Sequence, residues 1–147
     1  MKTVNDMLRA KGDSVWSVAP DATVFEALEL MAAKNVGAVL VLDGDRLVGI
    51  MSERDYARKV TLLGKTSKDT PVSEIMTSRV LYVGAGQTIQ ECLTLMTEKR
   101  IRHLPVMEGD RVIGVVTIGD VGQAIISDQQ FMLAQLEHYI TGGGSGS

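Results

Sequence analysis

Apolar positions along this chain change spacing in an ordered way. Val24, Leu28 and Met31 recur at the interval of one helix face, and Thr23 is placed to cap that helix. An unbroken apolar run follows, Ala38-Val39-Leu40-Val41-Leu42, which suits a buried strand. Asp43-Gly44-Asp45 supplies a turn, since glycine tolerates positive φ, and Leu47-Val48-Gly49-Ile50-Met51 reads as a second strand. A short β segment around Val15-Trp16-Ser17 is predicted before the helix, and a closing helix after Ser52. The unit is therefore β-α-β-β-α.

The same order recurs. Residues 18–55 realign on residues 83–120 without a gap: Thr23 falls on Thr88, Met31 on Met96, Gly44-Asp45-Arg46 on Gly109-Asp110-Arg111, and Gly49 and Asp55 on Gly114 and Asp120. Val80-Leu81-Tyr82 is the second predicted leading β segment, and Val112 to Val116 the second closing strand. A smaller echo precedes each unit, Val4-Asn5-Asp6-Met7-Leu8 against Val72-Ser73-Glu74-Ile75-Met76, and reads as a short helical lead-in. Internal repetition of this kind implies two similar halves, each too small for a secure core of its own, so a shared core is expected.

The predicted organisation is a first repeat with its lead-in over 1–64, a connection over 65–71, a second repeat over 72–127 and a C-terminal helix over 128–141. That helix carries apolar Met132, Leu133, Leu136 and Ile140, to be packed on its own subunit or, alternatively, against a second copy. Residues 142–147, Gly142 to Ser147, have the composition of a flexible linker or tag.

Hydrophobic residues make up 45% of the 147, ample for a globular interior, and the net charge of −3 gives no bulk attraction to nucleic acid. A local basic stretch, Lys99-Arg100-Ile101-Arg102-His103, is the one place where such binding could be sought, and its mark would be a steep salt dependence. No apolar run reaches membrane-span length and the N-terminus lacks a secretory core. The single cysteine, Cys92, permits no internal disulfide and reads as a buried inert thiol on a helix face. These features point to a soluble cytoplasmic protein. His103 and His138 are two isolated histidines, so no metal site is expected, and His103 is read as packing or cleft lining.

Both closing strands end in Gly-x-x-Ser/Thr-x-x-Asp, as Gly49 to Asp55 and Gly114 to Asp120. Ser or Thr followed three residues later by an acid is close to a helix capping box. It is also a ligand arrangement: a helix N-terminus suits phosphate, a hydroxyl donates to it, and a carboxylate one turn in accepts from two ribose hydroxyls. The two readings are compatible, because a hydroxyl can accept from an amide and donate outward.

The doubled motif, held in register within two β-α-β-β-α units, resembles tandem CBS domains, the cystathionine-β-synthase type, paired as a Bateman module. Met51-Ser52-Glu53-Arg54-Asp55 and Arg102-His103-Leu104-Pro105-Val106 are typical of that family too. The resemblance runs from about Val4 to Ile126. It implies an α/β (α+β) fold of two pseudo-twofold-related units, with short sheets flanked by helices. It further implies a non-enzymatic regulatory module for adenosyl ligands, among them AMP, ADP, ATP, NAD and S-adenosylmethionine. Homodimerisation and an unidentified regulated protein are expected as well. Carried over, Asp55 and Asp120 would hold ribose, and Ser52 and Thr117 phosphate. Asn35, Val36, Gly37 and Ala38 would border one base, and Ile101, Arg102 and His103 the other. Val15 and Val80 would lie on the opposite walls, with Arg54 and Gly119 between motif hydroxyl and carboxylate. The alternatives are a structural dimerisation module with vestigial sites and a nucleic-acid-binding module.

The repeats differ where selectivity should reside. Gly37-Ala38 is small and uncharged, whereas Arg102-His103 is bulky and basic, and Glu53-Arg54 corresponds to Ile118-Gly119. Two non-equivalent sites are therefore expected, with AMP-like ligands favoured and NAD admitted where Gly37-Ala38 leave room.

Overall fold

A computed structural model describes residues 2–138, so Ile140 and the Gly/Ser tail, on which part of the sequence reading falls, lie outside the described residues. Helix α1 (Val4–Lys11) is followed by strand β1 (Ser17–Val18), helix α2 (Val24–Lys34) and the hairpin β2 (Ala38–Asp43) and β3 (Arg46–Ser52). Helix α3 (Glu53–Tyr56) passes into a π-helical segment, Ala57–Thr61. The second half comprises α4 (Val72–Ile75), α5 (Ile89–Lys99), the hairpin β4 (His103–Glu108) and β5 (Arg111–Thr117), and α6 (Ile118–Glu137).

The caps form where the sequence supplies them. Thr23 and Thr88 accept from the amides of Glu26 and Glu91, each at 3.1 Å, and start α2 and α5. Both helices end on a left-handed residue, Asn35 and Arg100. The two hairpins share one register, Val41 opposite Gly49 and Val106 opposite Gly114, with a bulge at the next residue in each.

The leading β segments lie further along than predicted and are unequal. In the first repeat Ser17–Val18 pairs in parallel with Leu40–Val41, and the Leu40 amide donates to Trp16 at 3.0 Å. In the second repeat only a single bridge remains, Val83 to Val106. Proline explains the difference. Pro105 stands where Leu40 stands in the first repeat and has no N–H to donate, so the pairing shrinks to the bonds Val83 makes with Pro105 and Met107.

A second difference concerns the C-terminus. The expected separate helix beginning at 128 is absent; α6 runs unbroken from Ile118 to Glu137, because no glycine or proline follows Gly122 within it. Val121 and Ala124 are buried, but Ile126, Phe131, Met132, Leu133 and Leu136 are exposed, so the far half does not pack on its own subunit.

The lead-ins are exchanged between the halves. Val4, Met7 and Leu8 of α1 sit in the core of the second repeat with Val83, Ile89, Leu104 and Val116. Val72 and Ile75 of α4 sit in the core of the first with Val24, Met31, Val41 and Met51. Each such fully buried side chain contributes about 1.5–3 kcal/mol. Matching backbone bonds fasten the exchange, Val4 N to Gln87 O and Val72 N to Ala22 O, both at 2.8 Å.

Each exchanged segment lays a side chain over the glycine of a closing strand. A Cβ on Gly49 would meet the Met76 side chain, its Cγ at 2.9 Å and its Cβ at 3.2 Å, and one on Gly114 would meet Leu8 Cδ2 at 2.7 Å. Gly49→Ala is therefore expected to cost about 1–3 kcal/mol by overpacking. The cost, measured by urea unfolding, should be smaller in a Met76→Ala background. Equal costs in both backgrounds would show that the glycine does not make room for this methionine.

Candidate functional site

The two Ser/Thr-x-x-Asp segments are full capping boxes. Ser52 Oγ accepts from the Asp55 amide at 3.2 Å while Asp55 Oδ2 accepts from the Ser52 amide at 3.0 Å. Thr117 and Asp120 repeat this at 3.1 and 2.8 Å. The first amide of each helix is also engaged, Glu53 N by Gly37 O at 3.0 Å and Ile118 N by Arg102 O at 2.9 Å. These bonds tie each helix start to the loop that opens the preceding hairpin. They also leave fewer helix-terminal donors than an uncapped end would offer a phosphate.

Two cavities flank these helix starts, and each draws on both repeats. The smaller, about 580 Å³, sets Asn35, Val36, Gly37 and Ala38 of the first repeat against Thr117, Ile118 and Gly119 of the second, with Lys11, Ser14 and Trp16 beside them. The larger, about 1010 Å³, sets Ser52, Arg54 and Asp55 against Thr77 and the loop Arg100, Ile101, Arg102 and His103. Sites of this size fall in the range of small-molecule pockets. Val15 is half-buried and lines neither, although its neighbours Ser14 and Trp16 do. Val80 lines a separate cavity near the hairpin turns with Asp45, Tyr82 and Asp110.

The cations near the motif are placed as follows. Arg54 Nη1 donates to the Arg100 carbonyl at 2.9 Å, bridging the halves across the larger cavity. Lys59 is paired with the buried Asp55 at 3.0 Å and donates to the Ile75 carbonyl, so it is not left for phosphate. Lys11, absent from the sequence expectation, lies against Asp120 at 2.7 Å and the Val115 carbonyl at 2.9 Å. Its position in the last turn of an amphipathic lead-in was the available cue; what hid it was the exchange, which carries α1 to the other repeat. Lys34 lies over the Trp16 ring at 4.4 Å, so one ring face is already covered by a cation.

His103 lines both cavities, with Nε2 at 3.5 Å from where a Cβ on Gly37 would stand. Burial lowers its pKa below the ordinary histidine value, and Arg102 lowers it further, against smaller opposing effects of Glu53 and Asp120. The ring is thus neutral at pH 7. Cys92 is fully buried and its pKa is raised, first by desolvation and then by Glu91, so the thiol stays protonated and unreactive. Among the described residues no group of three or more His, Cys, Asp or Glu could hold a metal ion.

The sequence profile of the CBS domain matches this chain twice, over residues 4–61 and 72–127. The mitochondrial CBS domain-containing protein CBSX3 of Arabidopsis thaliana is 38% identical over 96% of this chain and 73% of its own length. A solved protein with CBS domains from Burkholderia ambifaria is 48% identical, with a TM-score of 0.84 over 87% of this chain and 96% of that one. The CBS domain pair of protein MJ0100, solved with 5′-methylthioadenosine and S-adenosyl-L-methionine, shares the fold at a TM-score of 0.75, covering 87% of this chain and 98% of that chain, at 23% identity.

The neutral state of His103 gives a pH prediction. A base whose folded pKa is depressed supports the fold fully above its unfolded pKa, about 6.5, and that support is lost as pH falls toward the folded value. Wild type should therefore lose stability relative to His103→Gln between about pH 7 and pH 5. Chemical unfolding at stepped pH reads the difference, and parallel curves would exclude a depressed His103.

Proposed function

The chain belongs to the CBS-domain family, and from that premise we propose that it is a regulatory module. It would bind an adenosyl nucleotide between its repeats and report occupancy to a partner protein. The observation that carries this reading is the composition of the two cavities. Each joins a capped helix start to a loop from the other repeat: the larger is lined by both the Ser52 hydroxyl and the Asp55 carboxylate, the smaller by the Thr117 hydroxyl and by Lys11, the partner of Asp120. The relative solved with two adenosyl compounds supports the ligand class. AMP, ADP, ATP and NAD share the adenosine half that a ribose-binding carboxylate and a small uncharged loop would read.

In this role Asp55 and Asp120 hold ribose, Ser52 and Thr117 meet phosphate, and Asn35 to Ala38 and Ile101 to His103 border the bases. A ligand spanning two halves can move them only through unequal affinity for two arrangements. No catalytic step is assigned to the chain. Among the described residues no helix is long and apolar enough to cross a membrane. We place the protein in the cytoplasm, a reducing compartment that suits its free, buried Cys92.

A nucleotide panel tests the reading. A ligand at about a hundred times its Kd adds roughly 2.7 kcal/mol. The unfolding midpoint should then rise by about 5–11 °C for a chain of this size. The rise should vanish in Asp55→Ala/Asp120→Ala, judged against that variant's own ligand-free midpoint. A rise that survives both changes would refute the site, and no rise with any adenosyl compound would leave the dimerisation reading.

That second reading has its own support, the exposed apolar row Phe131, Met132, Leu133 and Leu136 on α6. We assign this row to a homodimer contact. Light scattering should give a dimer for wild type and a monomer for Leu133→Glu/Leu136→Glu; a wild-type monomer at micromolar concentration would remove the assignment.

A further inference from the structure

The two motif carboxylates keep different amounts of acceptor capacity. Both oxygens of Asp55 are engaged: Oδ2 accepts from the Ser52 amide and hydroxyl at 3.0 and 3.1 Å, and Oδ1 meets the Thr77 hydroxyl at 3.1 Å and Lys59 at 3.0 Å. Asp120 is loaded on one side only. Its Oδ2 accepts from the Thr117 amide at 2.8 Å and from Lys11 at 2.7 Å, and among the described residues no hydrogen bond falls on Oδ1. The Ser52 hydroxyl donates to its aspartate, whereas the Thr117 hydroxyl makes no such bond, so its proton can point outward.

The charges lining the two cavities differ in the same sense. Around the larger one, Glu53 and Asp55 offset its arginines. The smaller one is lined by Lys11 and Arg102 and by no carboxylate; Asp120 adjoins it through its ion pair with Lys11. Lys11 is anchored through α1, whose apolar face is buried in the second repeat's core, and its ammonium sits at the end of a flexible four-carbon stem.

We propose that Lys11 makes the smaller cavity selective for a phosphate-bearing nucleoside, by giving up Asp120 to the ribose and taking the phosphate instead. The inference rests on the adenosyl reading above and names the ligand class of one of its sites. Ribose hydroxyls take Asp120, Oδ1 first, and displace the ammonium from Oδ2. A phosphate at the Thr117 hydroxyl then offers the ammonium a new charged acceptor, so no cation is left unpaired. Neutral adenosine displaces Lys11 without that compensation, which is costly in a partly desolvated site. A sulfonium ligand such as S-adenosylmethionine adds a cation beside Lys11 and Arg102. The order of affinity is therefore AMP, then adenosine, then S-adenosylmethionine.

Isothermal titration of the full chain with these three compounds is the test, in wild type, Lys11→Met, Lys11→Arg and Asp120→Ala. One charge-assisted hydrogen bond corresponds to roughly ten- to hundred-fold in affinity. Lys11→Met should lower AMP affinity by about that factor while leaving adenosine unchanged or tighter. Lys11→Arg should keep the preference, and Asp120→Ala should remove the Lys11-sensitive binding. If Lys11→Met does not fold by circular dichroism, Lys11→Gln, which keeps a donor toward the Val115 carbonyl, replaces it. Equal weakening of AMP and adenosine by Lys11→Met, or equal wild-type affinities for the two, would overturn this inference and leave the adenosyl reading standing. Failure of wild type to bind any of the three, or any other adenosyl compound, would overturn both.

Discussion

The contact on which the rest depends is the reciprocal seating of Leu8 on Gly114 and Met76 on Gly49. Through it each repeat closes its core with a segment belonging, in chain order, to the other. Neither half is complete alone, and residues 65–71 connect units already held together by burial. The cleft follows from this. Because α1 and α4 are fixed on opposite hairpins, the loop of one repeat is brought against the helix start of the other. Any molecule between them touches both.

On this symmetric backbone the side chains are not symmetric, and the departures are chemically specific. Pro105 deletes one donor and with it most of a parallel pairing. Lys59 reaches Asp55 from one turn further along its own helix, but the corresponding residue of the second repeat is Ala124, which has nothing to offer a carboxylate. Asp120 is served from outside its repeat, by Lys11. One aspartate is therefore held by its neighbours in sequence. The other is held by a residue that can leave without unwinding the helix that carries the aspartate.

What could be read in advance was whatever repeats in register: the helices, the hairpins, the turn glycines and the two capping boxes. Those depend on local spacing, and spacing is visible. The exchange of lead-ins was not legible, because Val4 and Val72 precede their own repeats and only packing reveals which core they enter. Lys11 was missed for the same reason. Apolar residues cluster around Val15 and Val80 and predict leading β segments there, whereas pairing depends on donors and acceptors opposite Leu40 and Pro105 and falls further along. The length of α6 is legible in principle from the lack of a breaker after Gly122, although the second repeat's pattern ends at 127 and the apolar positions from Met132 onward read as a helix of their own.

Gly37 and His103 show how sequence contrast acquires meaning only in the fold. Along the chain, Gly37-Ala38 against Arg102-His103 suggests one roomy site and one crowded site. In space Gly37 and His103 adjoin: a Cβ at position 37 would stand in ordinary van der Waals contact with the His103 ring, Nε2 at 3.5 Å, and both residues line each cavity. Small and large are then two halves of one wall. Since the residue from the second repeat stands beside the one from the first, the contrast does not by itself measure room for a ligand. The two cavities share Gly37, Ile50, Arg102, His103 and Ile118 in their linings, so they adjoin. A group bound in one cavity would therefore rest against side chains that also bound the other.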